Sequence, residues 1–198
     1  MKKRVLLSVT MMLFIFSATI GQGLHYGVKA DLNLFKINGN GITSAMNLGG
    51  RFGVFATYDF TKKWGLQPEL LFSQASAKRG DDFSVYYVYS NKPDANKNIK
   101  LSYITIPVLL RYNINRLFTI NAGPQYSFLC YDNENLLLNN RPAFKRNDFG
   151  LAVGVTLSVD NFNFFGRYVY GLSNVNNIDD RYEWKTQQAQ IGIGVKIK

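Results

Sequence analysis

From Leu24 to the end of the chain, apolar and polar residues alternate with a period of two in eight separate runs. A period of two sends successive side chains to opposite faces of a strand, so each run predicts a strand with one apolar and one polar face. The first run sets Leu24, Tyr26, Val28, Ala30, Leu32 and Leu34 against His25, Gly27, Lys29, Asp31 and Asn33. The second sets Leu48, Phe52, Val54, Ala56, Tyr58 and Phe60 against Asn47, Gly49, Arg51, Gly53, Thr57 and Asp59, with Phe55 interrupting the polar set. Six more runs begin near Trp64, Tyr103, Phe118, Asp148, Phe162 and Gln188. Eight runs near the length of a tilted bilayer crossing predict an antiparallel barrel.

A soluble barrel or sandwich turns the apolar face inward, and a membrane barrel turns it outward. Here the polar faces mix glycines (Gly27, Gly53, Gly123, Gly154, Gly192, Gly194) with Lys29, Asp31, Arg51, Asp59, Glu69, Arg111, Asp148, Arg167 and Lys196. Glycine weakens a solvated strand. Inside a narrow barrel it makes room for long charged side chains. The opposite faces are large, aromatic and almost free of charge. The expected fold is therefore all-β, an eight-stranded antiparallel up-and-down transmembrane β-barrel in the cell outer membrane.

The connections follow the same plan. Those at Thr61–Lys63, Asn113–Arg116 and Asp160–Asn161 are short, and those at Phe35–Ala45, Lys78–Asn98, Tyr131–Asn147 and Ser173–Thr186 are long. Short periplasmic turns alternating with long outer loops would place the N and C termini in the periplasm. In the longest loop Phe83, Val85, Tyr87 and Tyr89 alternate with Ser84, Tyr86 and Val88. Two readings stand open, a protruding hairpin with a free edge and a simple extension of the flanking strands.

Ahead of the barrel, Lys2, Lys3 and Arg4 precede an apolar stretch from Val5 to Ile20, followed by small residues up to Gly21. This order predicts a signal peptide over 1–21, with the barrel domain over 22–198. The whole chain carries 23 basic and 13 acidic residues. Removing the three leader cations leaves 20 and 13, a net charge of +7. The excess is dispersed and suits anionic head groups better than nucleic acid, which is not expected as a partner. A single cysteine, Cys130, excludes an intrachain disulfide, and reads as a small apolar residue.

Several motifs together resemble the PorT-like outer membrane protein β-barrel family. They are Tyr26-Gly27-Val28-Lys29-Ala30-Asp31, Gln67-Pro68-Glu69-Leu70, Tyr103-Ile104-Thr105-Ile106-Pro107, Ala122-Gly123-Pro124-Gln125-Tyr126 and Arg167-Tyr168-Val169-Tyr170-Gly171. The resemblance implies an eight-stranded outer-membrane barrel and no single activity. Its founding type is linked to secretion and gliding machinery. The chain departs from many such barrels in ending Lys196-Ile197-Lys198 instead of on an aromatic residue.

No catalytic, cofactor-binding or metal-binding residue is predicted, and the chain is expected not to be an enzyme. His25, the only histidine, lies at the start of the first strand, away from the long loops where rim chemistry needs a base. One His and one Cys give poor metal ligation. The near-balanced inward charges predict ion pairs that plug the lumen; Asp31 and Glu69 are the carboxylates with a chance of approaching each other. The resulting expectation is a structural or interaction barrel whose outer loops meet lipid, lipopolysaccharide or a secretion or surface protein. The alternative is a lumen- or rim-active barrel, either a narrow conduit or a lipid-modifying enzyme.

Overall fold

A computed structural model describes residues 23–88, 92, 95–138 and 141–197. The expected signal peptide lies outside the described residues. Eight long strands, β1 (Leu24–Asn38), β3 (Asn47–Asp59), β4 (Trp64–Arg79), β5 (Asn98–Asn113), β6 (Phe118–Asp132), β7 (Asn147–Val159), β8 (Phe162–Gly171) and β9 (Lys185–Lys196), pair antiparallel in chain order. Pairing of β1 with β9 closes the sheet on itself, so the barrel keeps no free edge. A two-residue strand, β2 (Ile42–Thr43), adds to the end of β4, and one helical turn, α1 (Phe83–Tyr86), lies in the following loop. Among the described residues no helix is long and apolar enough to cross a membrane.

The two faces of every strand fall as their alternation predicts. Leu32, Leu48, Phe52 and Ile191 point outward, 56–68% exposed, whereas Lys29, Asp31, Arg51, Glu69 and Arg167 point inward and are buried. Phe55, the residue that breaks the polar set of its run, also points inward. Gly27 and Gly194 make room for it: a methyl group at either would press on the Phe55 ring. Near the short turns the outer face carries aromatics, with Trp64 on Tyr112 at 4.8 Å between ring centroids and Tyr58 beside Phe60. Such belts suit the head-group region.

Three prolines leave a diagonal mark across the wall. The β3–β4 ladder skips the step that holds Pro68, the β4–β5 ladder skips the one that holds Pro107, and the β5–β6 ladder skips the one that holds Pro124. Proline has no N–H to donate, so a ladder step is lost at each. The register on either side of each gap is unchanged.

The strands run further toward the long loops than the alternation alone predicts. Phe35–Asn38 continue β1, Lys78 and Arg79 continue β4, Asn98 opens β5, Tyr131 and Asp132 end β6, Asn147 opens β7, and Lys185 and Thr186 open β9. In this upper part the inward side chains change from polar to apolar, as at Phe35, Ile37, Ala75, Ala77, Ile99 and Leu101. The contrast between faces inverts there, with Lys36, Asn38, Lys78 and Lys100 on the outer side, and the ladder continues. In the longest loop the structure is nearer the extension reading than the hairpin. β4 and β5 extend, but Phe83–Tyr86 form a helical turn, with Phe83 and Tyr87 both buried under the neighbouring loops. Tyr89 lies outside the described residues.

Candidate functional site

The barrel has two interior zones, a charged one in its middle and an apolar one at the long-loop end. The charged zone centres on Glu69 of β4, reached by Lys29 from β1, two strands away, and by Arg167 from β8 on the opposite wall. Lys29 Nζ of β1 lies 3.0 Å from Glu69 Oε2, and Arg167 of β8 donates from Nη1 and Nη2 to the two carboxylate oxygens at 3.1 and 2.8 Å. Gln67 Nε2 donates to Oε1 at 2.7 Å. Each carboxylate oxygen thus accepts twice. The Lys29 ammonium also sits 3.7 Å from the centre of the Phe165 ring, a cation–π contact.

A second pair lies beside the first. Arg51 donates from Nε and Nη2 to the carboxylate of Asp31 at 2.7 and 3.1 Å, and from Nη2 to Gln190 Oε1 at 2.7 Å. The Arg51–Asp31 side chains are fully enclosed. Ionised groups this deeply buried need such partners, since an unpaired charge there is strongly disfavoured. Closer to the short turns, Arg111 meets Asp59 through Nη1 alone at 2.9 Å. At the opposite end of the polar zone, Asp148 accepts from Thr186 Oγ1 at 2.7 Å, while its Oδ1 has no partner among the described residues.

These contacts settle where the expected lumen residues stand. Asp31 and Glu69 each serve their own arginine. Neither is left as a spare acid or base. His25 is exposed at the first turn of β1, by the short connections, and Cys130 faces outward on β6. Among the described residues no three His, Cys, Asp or Glu side chains gather in a way that could hold a metal.

The apolar zone is the part that the alternation did not reveal. Trp184, from the loop between β8 and β9, is fully buried and touches three other loops. Its indole N–H donates to the Asn40 carbonyl at 3.1 Å, and its ring meets Tyr87 edge-on at 6.0 Å and Phe144 at 5.2 Å. Gly39 lies flat beneath the indole, where any side chain would collide with it. Asn176 donates to the Tyr182 carbonyl at 2.8 Å and to the Tyr87 hydroxyl at 3.4 Å. In the third loop Glu134 accepts from the backbone N–H of Leu136 and Ala143, which turns Leu136, Leu137 and Ala143 inward. Asn133 and Asn135 receive backbone N–H groups of Lys100 and Asn96, which tie that loop to its neighbour. The four long loops form one interlocked cap over the end of the barrel. Two hints of it stand in the sequence, a tryptophan in a loop rich in Asn and Asp, and the inverted alternation of Phe35 and Ile37 with Lys36 and Asn38.

Comparison with known proteins agrees with this architecture. A family described as "Outer membrane protein beta-barrel domain" matches residues 16–177. Among solved structures the chain is similar to Neisserial surface protein A, with a TM-score of 0.54 at 16% identity, covering 89% of this chain and 100% of that one. It is similar also to the attachment invasion locus protein Ail of Yersinia pestis, with a TM-score of 0.50 at 14% identity over 88% of this chain and 99% of that one. OprG of Pseudomonas aeruginosa gives a TM-score of 0.50 at 15% identity over 88% and 96%. At these identities the likeness speaks for the fold. Among the curated proteins no match is found.

Proposed function

The chain belongs to the outer membrane protein beta-barrel domain family, and from that premise we propose that it is a non-enzymatic barrel with a plugged lumen. It acts as a structural or interaction protein through its capped loop end. The observation that carries this reading is the pairing of the central inward charges. Glu69 accepts four hydrogen bonds and Asp31 holds Arg51 through two, so both central carboxylates are engaged with their own cations.

The lumen is closed twice on this reading, by ion pairs in the middle and by the Trp184 cap above. The cap fixes the four loops in one arrangement, and a fixed surface binds a partner at lower entropic cost than free loops do. Val85 and Val88 stand exposed on its outer side, 72% and 60%. The termini and short turns face the periplasm, the capped loops face outward toward lipopolysaccharide, and residues 1–21 direct export. The motifs around Pro68, Pro107 and Pro124 support a reading as a PorT-like member. A secretion or surface-assembly complex is the partner class that this resemblance favours.

A photo-crosslinking residue at Val85 or Val88, in cells, tests the interaction role. A discrete protein or lipopolysaccharide adduct is expected there and not from the same probe at lipid-facing Ile191. Adducts from neither loop position, together with lipid hydrolysis by the purified protein, would reject the proposal.

A further inference from the structure

The mouth at the short-turn end is built differently from the rest of the interior. It opens into a cavity of about 590 Å³ lined by Lys62, Lys63, Arg111, Arg116 and Lys196, with Asp59 as the sole carboxylate in its lining. Five cations face one anion. The middle of the lumen, by contrast, pairs nearly every charge.

Two further details separate this mouth from an ordinary solvated rim. Arg51 and Arg167 each grip a carboxylate with two nitrogens, whereas Arg111 spends only Nη1 on Asp59 and keeps its other donors. Its side chain is nonetheless 8% exposed, so those donors are held in place. The side chains of Lys62, Lys63, Arg116 and Lys196 form no hydrogen bond or ion pair with another described residue, although Lys63 and Lys196 are bonded through their backbones. Lys196 is half-buried in the wall of the cavity.

The nearby polar groups are already committed. Thr119 donates to Asn113 Oδ1 at 2.8 Å, Ser158 donates to Asn163 Oδ1 at 2.8 Å, and Asn115 Oδ1 accepts from the N–H groups of Leu117 and Phe118. These bonds brace the rim, and the free donors that remain are cationic. A concave site with one sign of charge concentrates counter-ions, and charge-assisted bonds from guanidinium and ammonium groups suit tetrahedral oxyanions. The volume falls in the range of small-ligand pockets.

We propose that the short-turn mouth is a binding site for a phosphate-bearing ligand, with Arg111 fixed by Asp59 as its floor and Lys62, Lys63, Arg116 and Lys196 as its walls. The phosphate can come from a lipid head group at the membrane surface or from a soluble phosphorylated molecule.

The full chain, folded in uncharged detergent micelles, would be titrated with inorganic pyrophosphate by calorimetry at matched ionic strength. Saturable binding is expected. The R116Q/K196Q double variant should weaken it at least ~10-fold, the scale of losing one or more charge-assisted hydrogen bonds. The K97Q variant at the opposite end should not change it. Heat-modifiable migration on a gel checks that each variant is folded. The titration is then repeated in nanodiscs with and without phosphatidylglycerol. Pyrophosphate binding suppressed by phosphatidylglycerol assigns the site to a lipid head group; binding equal in both assigns it to a soluble ligand. Absence of saturable binding in micelles, or equal binding by the folded double variant, overturns the proposal.

Discussion

Arg167 on β8 and Glu69 on β4 meet across the barrel through two parallel bonds of 3.1 and 2.8 Å, with Lys29 on β1 closing the triad at 3.0 Å. None of the three strands neighbours another along this contact except through the closed wall, because β4 pairs with β3 and β5 while β8 pairs with β7 and β9. The triad therefore exists only when the barrel is shut. It ties opposite walls together.

Removing Glu69 alone leaves two enclosed cations without a partner. The E69A variant is expected to lose ~3–5 kcal/mol of stability, the scale for breaking one side of a buried pair. Replacing all three residues with apolar ones of similar volume (K29M, E69L, R167M) should recover most of that loss. Denaturant unfolding of the protein in micelles measures both; an E69A variant as stable as the parent would show the triad to be solvated.

Phe55 fills the lumen against two glycines, and one of them is also pinned by backbone. A side chain at Gly27 would run into the Val195 carbonyl oxygen as well as the Phe55 ring. Gly27→Val should cost ~1–3 kcal/mol or more through overpacking, and adding Phe55→Ala should not restore it. Rescue by the second change, read from the folded fraction on a gel, would make the ring the only obstacle.

How much of this was legible in advance depends on which link is asked about. Residues up to Leu34 on β1 declare their faces by alternation alone, because lipid and a polar lumen lie on opposite sides. From Phe35 on the alternation inverts, with Phe35 and Ile37 inward and Lys36 and Asn38 outward, so a reading that follows one parity loses the strand there while the strand continues. Phe83, Val85 and Tyr87 alternate like a strand yet belong to a helical turn, since Phe83 and Tyr87 are pulled under the same cap. The inward charges were readable one by one. Their partners were not, because Lys29, Glu69 and Arg167 are far apart in sequence and only closure of the barrel brings them together.

Trp184 is the keystone of the cap, buried against Tyr87 and Phe144 and bonded to Asn40. Trp184→Ala is expected to cost ~3–5 kcal/mol locally. The cost should fall on the loops and not on the wall. Limited proteolysis ought to cut the variant's long loops faster while its heat-modifiable barrel persists; unchanged loop cleavage would remove Trp184 from that role.

The cap should also respond to alkaline pH. Burial holds the Tyr87 phenol above its ordinary pKa, and the nearby Asp179 charge adds to this. For an acid whose pKa is raised by folding, the stabilisation is present below the unfolded value, about 10, and is lost as pH rises through the folded value. Loop protection from proteolysis should therefore fall at strongly alkaline pH. In Tyr87→Phe, which cannot ionise there, the fall should shift to higher pH. An identical profile in parent and variant would rule out Tyr87 as the titrating group.

Planar-bilayer recording of the purified full-length barrel tests the plugged lumen most directly. The paired charges and the interlocked loops predict no steady conductance from the parent protein, and none from Arg111→Ala. A steady, reproducible conductance in the parent that Arg111→Ala abolishes would contradict the account and make the barrel a conduit.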